Sequence, residues 1–300
     1  MTAELEHINE LISISEEKKT KKVGIVVPLI LFSLTILTTL ASGALQQGLD
    51  IIAKPSNIIQ GYPFSIAIIA ILGTHESGHF FASRRHRVAT TVPYFLPGPP
   101  IPPMIGTFGA VIRMKSPILN RAALIDIGAA GPISGFLVSI AVAIWGLSLS
   151  PVLPAPMEEG QLILGSSLIF QVLSYLTIGT VPPGFEIYLH PVAFAGWIGF
   201  FITCLNLLPI GQLDGGHIIY GLLDKFHRRI SITMVLMLII FGIITWHGWL
   251  VWAILVLIIG IGHPPVLDSH MPLDRKRRSI AWLTMVIFIL TFIPTPLYII

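Results

Sequence analysis

The stretch ILGTHESGHFF, residues 71–81, decides the fold prediction, because it places two histidines and a glutamate inside a long apolar run. An ionisable group near the centre of a membrane-spanning helix costs roughly 2.5–3.5 kcal/mol, even on the scale taken from insertion experiments. Such a group needs a compensating interaction and marks a functional site by default. The stretch therefore predicts a membrane helix that carries a site.

The spacing of these residues indicates a metal site. His75 and His79 are four positions apart, so on a helix they lie on one face, where both imidazoles can reach a single cation. Glu76 lies on the adjoining edge. The H-E-x-x-H pattern is typical of zinc sites in which the glutamate takes a proton from the metal-bound water. The alternative, two histidines hydrogen-bonded inside a helix bundle, needs partners for Glu76 as well.

The composition is that of a multi-pass integral membrane protein. Of the 300 residues 54% are hydrophobic and 11% are charged, with a mean hydropathy of +0.83, whereas about 25% of the residues of soluble domains are charged. The net charge of +3 comes from short basic clusters between apolar runs and gives no nucleic-acid signal. Cys204 is the single cysteine, so a disulfide framework within the chain and a cysteine-based zinc site are excluded. We expect Cys204 to be a small packing residue on its helix.

The charge pattern predicts about seven transmembrane helices. Single apolar runs of spanning length lie at 23–45, 62–83, 121–149, 191–209 and 279–297. The run at 231–262 is expected to cross twice, as a hairpin turning near Gly248, and 162–179 to be an external interfacial helix. With residues 1–22 as a cytoplasmic tail, Lys54 is then the one residue of the 18 Lys and Arg outside the cytoplasm.

A third ligand is expected from NLLPIGQLDGGH, residues 206–217, since a catalytic zinc takes three protein ligands and leaves one position open. The preceding span ends near Pro209, which cannot continue a helix. Asp214 follows at the same membrane face as His79. The alternative for Asp214 is a turn acid, because Asp-Gly is a common turn pair. His217 is open between a supporting partner, a competing ligand and an interfacial side chain.

HESGH together with NLLPIGQLDGG resembles the site-2 protease family of intramembrane zinc metalloproteases, over a catalytic core of about 60–225. The resemblance implies one Zn²⁺ per chain held by His75, His79 and Asp214, with Glu76 as the catalytic base. Asn206 matches the family's polar residue before the aspartate, which is thought to hold the substrate or the developing oxyanion; the alternative is a helix-packing amide. Residues 23–300 then form a single integral membrane metalloprotease domain.

The chain is similar to the compact branch of this family, which lacks PDZ or CBS domains and is typified by plastid and cyanobacterial members. The features that carry this resemblance are the uninterrupted GQLDGGH, the HPPVLD at 263–268 and the lack of an inserted recognition domain.

The segment 92–114 has six prolines between Pro93 and Pro103, which rule out a helix, and GTFGAVI then predicts a strand. The resemblance implies a short membrane-dipping β-hairpin or loop whose edge receives the substrate. The candidate substrate-binding residues are Gly106, Thr107, Phe108, Gly109 and Asn206. A plain surface loop is the alternative. In the predicted span at 121–149, the small residues of GAAGPISGF, 128–136, indicate close packing against neighbouring helices.

The resulting hypothesis is hydrolysis of transmembrane protein substrates near the cytoplasmic face. The expected partners are such a substrate and the lipid bilayer, without nucleic acid, and the oligomeric state stays open. A prokaryotic cell membrane is expected, and a plastid membrane is the alternative. The rival functions are an iron oxygenase, which needs more histidine clusters, a non-catalytic metal-binding homologue and a metal transporter, which should place ligands midway along several helices.

Overall fold

The computed structural model describes residues 26–100, 105–155, 162–268 and 272–299. The expected cytoplasmic tail at 1–22 lies outside these residues. The described chain is mostly helical, with helices α1 Val26–Gln46, α2 Tyr62–Arg85, α3 Arg121–Ser148, α4 Leu168–Ile178, α5 Pro191–Leu207, α6 Asp214–Leu223, α7 His227–Ile244, α8 Gly248–Ile259 and α9 Arg275–Thr291. Short 3₁₀ helices span Pro55–Gly61 and Asp224–Phe226.

The strands are few and short. They are β1 Tyr94–Pro97, β2 Thr107–Val111, β3 Val152–Pro154, β4 Leu162–Leu164, β5 Phe185–Ile187 and β6 Leu297–Ile299. They form three antiparallel pairs, β1 with β2, β3 with β5 and β4 with β6. The prediction of a mostly helical fold is confirmed.

Within the described residues, 4 helical stretches are long and apolar enough to cross a bilayer. They are Val26–Gln46, Pro55–Arg85, Arg121–Ser148 and Asp214–Ile244. Three shorter apolar helices are Leu168–Ile178, Pro191–Leu207 and Gly248–Ile259. The predicted spans at 23–45, 62–83, 121–149 and 191–209 correspond to helices of these two sets. The predicted span at 279–297 falls on α9, which belongs to neither set, and the count of seven crossings stays a prediction.

The run at 231–262 is divided between two helices, as the predicted hairpin requires. α7 ends at Ile244 and α8 begins at Gly248, where the ring of Trp246 packs so closely over the glycine that a side chain would have no room. α8 has 12 residues, which at 1.5 Å per residue is roughly 18 Å, short of the ~30 Å hydrocarbon core. The double crossing thus remains a prediction.

The segment at 162–179 contains a strand and the 11-residue helix α4. The Ser167 hydroxyl caps this helix by accepting from the amide of Phe170 at 3.3 Å. A helix of that length reaches only about 16 Å, so it is too short to cross. Its predicted external position is not decided by the fold.

The predicted strand GTFGAVI corresponds to β2, which pairs with β1 from Tyr94↔Val111 to Pro97↔Thr107. β1 lies on α1, where the rings of Phe32 and Phe95 meet at 4.9 Å between centroids. Gly106 has a φ of +75° and its Cα lies against the Thr38 carbonyl of α1, so only glycine fits there. The described residues thus form a two-stranded ribbon on α1 and α2, and its position relative to a membrane stays a prediction.

Helix α3 is the centre of the fold, with contacts to α2, α4, α5, α6 and α9. Its buried Leu124 and Ile125 are fully inaccessible, as is Phe200 of α5. Gly78 of α2 packs on the α3 backbone at Ala130, which supports the predicted close packing of small residues. Cys204 is also fully buried, as expected for a packing residue. α3 is therefore the frame against which the site-bearing helices lie.

Candidate metal centre

Helix α2 places the H-E-x-x-H residues inside the protein. It begins after Gly61 with a proline in its first turn, where the missing amide hydrogen costs no hydrogen bond. It ends with Arg84 and Arg85, whose positive charges interact favourably with the helix dipole. His75, Glu76 and His79 are 4%, 6% and 6% exposed. The Nε2 atoms of the two histidines lie 3.1 Å apart. The predicted common face is thus a buried one.

A tight turn after α5 brings the aspartate to the same point. α5 ends at Leu207, and the chain passes Pro209 and Gly211 before α6 begins at Asp214. Gly211 has a φ of +53°, and Gly215 packs directly on the carbonyls at the end of α5, so a side chain there would collide with the backbone. The glycines that flank the aspartate therefore allow the two helix ends to fold closely together.

The three predicted ligands meet at one position. Asp214 Oδ2 lies 3.2 Å from His79 Nε2 and 3.4 Å from His75 Nε2, and in the described residues these three side chains form a group that could hold a metal ion. Ligand atoms at 2.0–2.1 Å from a tetrahedral zinc are about 3.3 Å apart. The observed separations match one face of such a tetrahedron.

The hydrogen bonding of His79 also favours a cation. Its Nδ1 lies 2.8 Å from the carbonyl oxygen of Ile127 on α3 and donates to it. In the neutral imidazole Nε2 then carries only a lone pair. It faces the ring nitrogen of His75 and the carboxylate of Asp214, so three acceptor atoms converge. A metal ion between them satisfies all three, and a carbonyl behind a histidine ligand is the usual arrangement in metal sites.

Glu76 and Asn206 lie where two cavities meet. A cavity of about 970 Å³ and one of about 560 Å³ share His75, Glu76, Asn206 and the end of β2 in their walls. The amide nitrogen of Asn206 lies 3.2 Å from His75 Nε2. The structure thus brings both predicted residues beside the ligand group, and their catalytic roles remain predictions.

The two cavities differ in lining and direction. The larger runs towards Gln47 at the end of α1 and is lined by aromatic rings that include Trp197, Trp246 and Trp252. The smaller runs the other way, past Gln212 and His263. The site is therefore reached by one cavity lined with aromatic rings and by a second that passes Gln212 and His263.

The predicted substrate-binding residues on the ribbon occupy different positions. Thr107, Phe108 and Gly109 line the larger cavity, and the Phe108 side chain is 69% exposed. Gly106 instead lies against α1, as described above. The Thr107 hydroxyl donates to the Leu96 carbonyl across the ribbon at 2.8 Å, which fixes its register. The substrate role of these residues is not decided by their placement.

His217 forms a pair that the sequence did not predict. Its Nδ1 lies 2.7 Å from Nε2 of His263, whose own Nδ1 donates to the Pro264 carbonyl at 2.6 Å. Tyr220 stacks on the His263 ring at 4.2 Å between centroids. Burial, assisted by neighbouring His227, lowers the pKa of His263 to about 4, so the ring is neutral at pH 7. His217 therefore donates to His263, and it lies outside the group of three ligands.

Two further contacts of α3 fix the ligand-bearing helices. Arg121 donates to the carbonyls of Gly221 and Leu222 at 2.7 and 3.2 Å and so caps the end of α6. Asp126, next to Ile127, accepts from His86 Nε2 at 2.8 Å, and from Arg277 Nη2 and Nε at 2.8 and 3.0 Å. The isolated sequence gives no signal for these partners, because they are 40 to 151 positions apart.

The fold and the site together define a membrane-embedded helical protein in which two buried histidines and one partly buried carboxylate form a group suited to a metal ion. The pattern of Peptidase family M50 matches residues 63–245. The chain belongs to this family, and the resemblance to site-2 proteases is thereby confirmed.

Curated relatives agree with this assignment. The chain is 30% identical over 243 residues to "Probable zinc metalloprotease EGY1, chloroplastic" of Arabidopsis thaliana, covering 77% of this chain and 42% of that protein. It is 26% identical over 289 residues to "Probable zinc metalloprotease EGY3, chloroplastic" of Oryza sativa subsp. indica, covering 86% of this chain and 46% of that protein. The chain thus spans less than half the length of these relatives. No solved structure matches the chain at a significant level.

Proposed function

We propose that the chain is an intramembrane zinc metalloprotease that hydrolyses peptide bonds of transmembrane substrates near the cytoplasmic face. The observation that carries the proposal is the convergence of His75, His79 and Asp214 within 4.8 Å, with Glu76 at the junction of the two cavities. Membership of a peptidase family and the names of the curated relatives support it.

His75, His79 and Asp214 would hold one zinc ion. Bound there, zinc supplies Lewis-acid activation of water and of the scissile carbonyl. The carbonyl of Ile127 keeps His79 in the tautomer that presents Nε2. Arg121 holds α6 through the carbonyls at its end, so the carboxylate stays beside the imidazoles.

Glu76 acts as the general base and then as the general acid. It lines both cavities, so it reaches water from one and a peptide from the other. Its carboxylate accepts a proton from the attacking water and gives it to the leaving amine, which becomes a neutral leaving group. Asn206, which lines the same two cavities, donates from its amide to the substrate carbonyl oxygen as negative charge develops there.

The substrate enters through the larger, apolar cavity. A helical segment hides its carbonyls in hydrogen bonds along the helix, so it must unwind before it is cut, and its freed backbone groups need partners in an apolar setting. Within the described residues β2 pairs with β1 alone, and its other edge offers such partners by strand addition. Thr107, Phe108 and Gly109 would contact the substrate there. Water reaches Glu76 through the smaller cavity.

The orientation rests on charge. Exposed basic residues lie at the C-terminal end of α2, Arg84 and Arg85, and at the start of α7, Arg228 and Arg229. Basic residues in short connections between membrane helices favour the cytoplasmic side. This charge pattern supports our proposal that the smaller cavity opens on the cytoplasmic side and that the N-terminus lies in the cytoplasm. The substrates we propose are single-span membrane proteins that are cut for regulation, as is typical of this family.

The test compares membrane-protein fragments in cells that carry wild-type, Glu76→Gln or Glu186→Gln protein. Glu186 lies on β5, away from both cavities, so it controls for loss of a carboxylate. We expect fragments that are present with wild type and Glu186→Gln and lost with Glu76→Gln, because removal of a general base slows catalysis by about 10²–10⁴-fold. Identical fragments from all three cultures would refute proteolysis and leave a non-catalytic metal-binding protein.

A further inference from the structure

Two sets of exposed basic residues lie side by side at one end of the molecule. They belong to the end of α2 and the start of α9, and they are Arg84, Arg85, Arg87, Arg275, Lys276 and Arg278, here called the basic junction. His86 and Arg277 lie between the members of each set and bind the same Asp126 oxygen at 2.8 Å. This shared carboxylate brings the two helix ends together, although they are far apart in the sequence.

The junction carries a strong excess of positive charge. Asp126 and Asp274 are the carboxylates of its ion pairs in the described part of the chain, and both are bound by Arg277, at 2.8 and 2.6 Å. The charge of Arg277 is thus already paired with these two carboxylates. The six exposed cations therefore remain in excess over the acidic groups that the junction itself provides.

The backbone at Arg87 adds an independent indication. Its φ is +56°, and it is the single non-glycine residue with a positive φ in the described chain. It follows the end of α2, where glycine is the usual residue in the left-handed conformation. The Val88 amide closes this turn by donating to the Ser83 carbonyl at 2.9 Å. An arginine at a position that favours glycine suggests that its charge is needed.

Apolar surface lies next to the cations, towards the centre of the helices. Phe81, one turn before Arg85, is 66% exposed, and Trp282, two turns after Arg275, is 58% exposed. Aromatic residues beside basic ones are typical of the boundary between headgroups and hydrocarbon. The surface therefore offers cations to a headgroup and rings to an acyl chain.

We propose that the basic junction binds an anionic phospholipid. Guanidinium groups contact the phosphate with paired hydrogen bonds, and clusters of four to eight Lys and Arg beside membrane helices attract anionic lipids. The acyl chains lie along Phe81 and Trp282. A free phosphate ion would use the same cations but would gain nothing from the two rings.

The junction is connected to the metal site through one residue. Asp126 precedes Ile127, whose carbonyl holds His79. A phospholipid across the ends of α2 and α9 stabilises the pair of helices that Asp126 joins. Lipid binding should therefore raise the thermal stability of the zinc-loaded protein, and this effect does not require that the protein be a protease.

The experiment measures lipids retained by the delipidated full chain, by native mass spectrometry, after addition of phosphatidylglycerol or phosphatidylcholine. The variant Arg84→Gln/Arg85→Gln is compared with the control Arg228→Gln/Arg229→Gln, which removes the same charge from exposed positions at the start of α7. We expect the first to bind phosphatidylglycerol about tenfold or more weakly and the control to bind it as wild type does, with little phosphatidylcholine bound by any of them.

Arg87→Gly separates binding from folding. It removes a cation but places glycine where the backbone favours it, so the melting temperature should be unchanged or higher while phosphatidylglycerol binding falls. Equal losses in the junction and control variants, or unaltered binding by Arg87→Gly and by Arg84→Gln/Arg85→Gln, would overturn the proposal. Displacement of the lipid by millimolar inorganic phosphate would overturn it too, since the site would then be one for free phosphate.

Discussion

Replacement of Gly131 by alanine tests the geometry of the metal centre most sharply. Gly131 of α3 faces the ring of His79, and a Cβ added there would lie 2.6 Å from Cε1 and still closer to Nε2 and Cδ2. Ordinary Cβ contacts begin near 3.4 Å. The imidazole must therefore move by about 0.8 Å or more, whereas zinc ligands tolerate deviations of about 0.2 Å.

The expected result is loss of zinc without loss of the fold. Alanine in place of glycine inside a helix favours the helix by roughly 0.5–1 kcal/mol, so Gly131→Ala should not unfold α3. Loss of a residue that supports a metal ligand lowers metal affinity by about 10–100-fold. Displacement of His79, which is itself a proposed ligand, should lower zinc affinity by at least as much. Competition titration with a chelator would measure the zinc affinity, and circular dichroism would measure the helix content.

Gly128→Ala is the matched control. Gly128 lies nearly one turn earlier on the same helix, and its added Cβ would lie 3.1 Å from Cβ of His217 and 3.3 Å from the backbone oxygen of Asp214, contacts that a shift of a few tenths of an ångström relieves. We expect this variant to bind zinc within a few-fold of wild type. Equal zinc affinity of Gly131→Ala and Gly128→Ala would refute the reasoning. It would show that zinc binding does not depend on the position of the His79 ring, for which Gly131 leaves room.

Three further predictions follow from other contacts. Asp214→Asn keeps the shape of the side chain but not its charge; it should lower zinc affinity by at least about tenfold in the same titration, and unchanged affinity would argue against this ligand. Arg277→Met leaves the partly buried Asp126 without the guanidinium that donates twice to its Oδ2 and should lower the free energy of unfolding by about 1–3 kcal/mol in a denaturant titration; Arg277→Lys should recover only part of it, and no loss in Arg277→Met would show that the pair is not stabilising. Because the pKa of His263 is lowered to about 4 in the fold, the unfolded chain takes up the proton first, so stability should fall as the pH drops from about 6.5 towards 4; thermal melts of His263→Gln should show a smaller decrease, and an identical decrease would exclude this histidine as its cause.

Much of the candidate site could be predicted because its signals are local. His75, Glu76 and His79 lie within five residues, and helical periodicity alone puts both imidazoles on one face. Asp214 was predicted because Pro209 ends the preceding span and leaves the carboxylate at the same membrane face as His79. The strand at β2 was predicted because the prolines before it exclude a helix.

What could not be predicted depends on contacts between distant segments. The Ile127 carbonyl carries no side-chain signal, and the pair of His217 and His263 joins residues 46 positions apart. Nothing near Asp126 in the sequence indicates that Arg277 will bind it. Helix lengths were also uncertain, because hydropathy marks an apolar run but not where its hydrogen bonds end, as the break between α7 and α8 shows.

The central claim is that one zinc ion is bound by two imidazoles and one carboxylate on α2 and α6. Zinc K-edge X-ray absorption of the purified full chain tests it most directly. We expect one zinc per chain, with nitrogen and oxygen ligands at about 2.0–2.2 Å, two of them with the scattering pattern of imidazole. A spectrum that is unchanged in the His79→Ala protein, or one with sulfur at about 2.3 Å, would contradict the account.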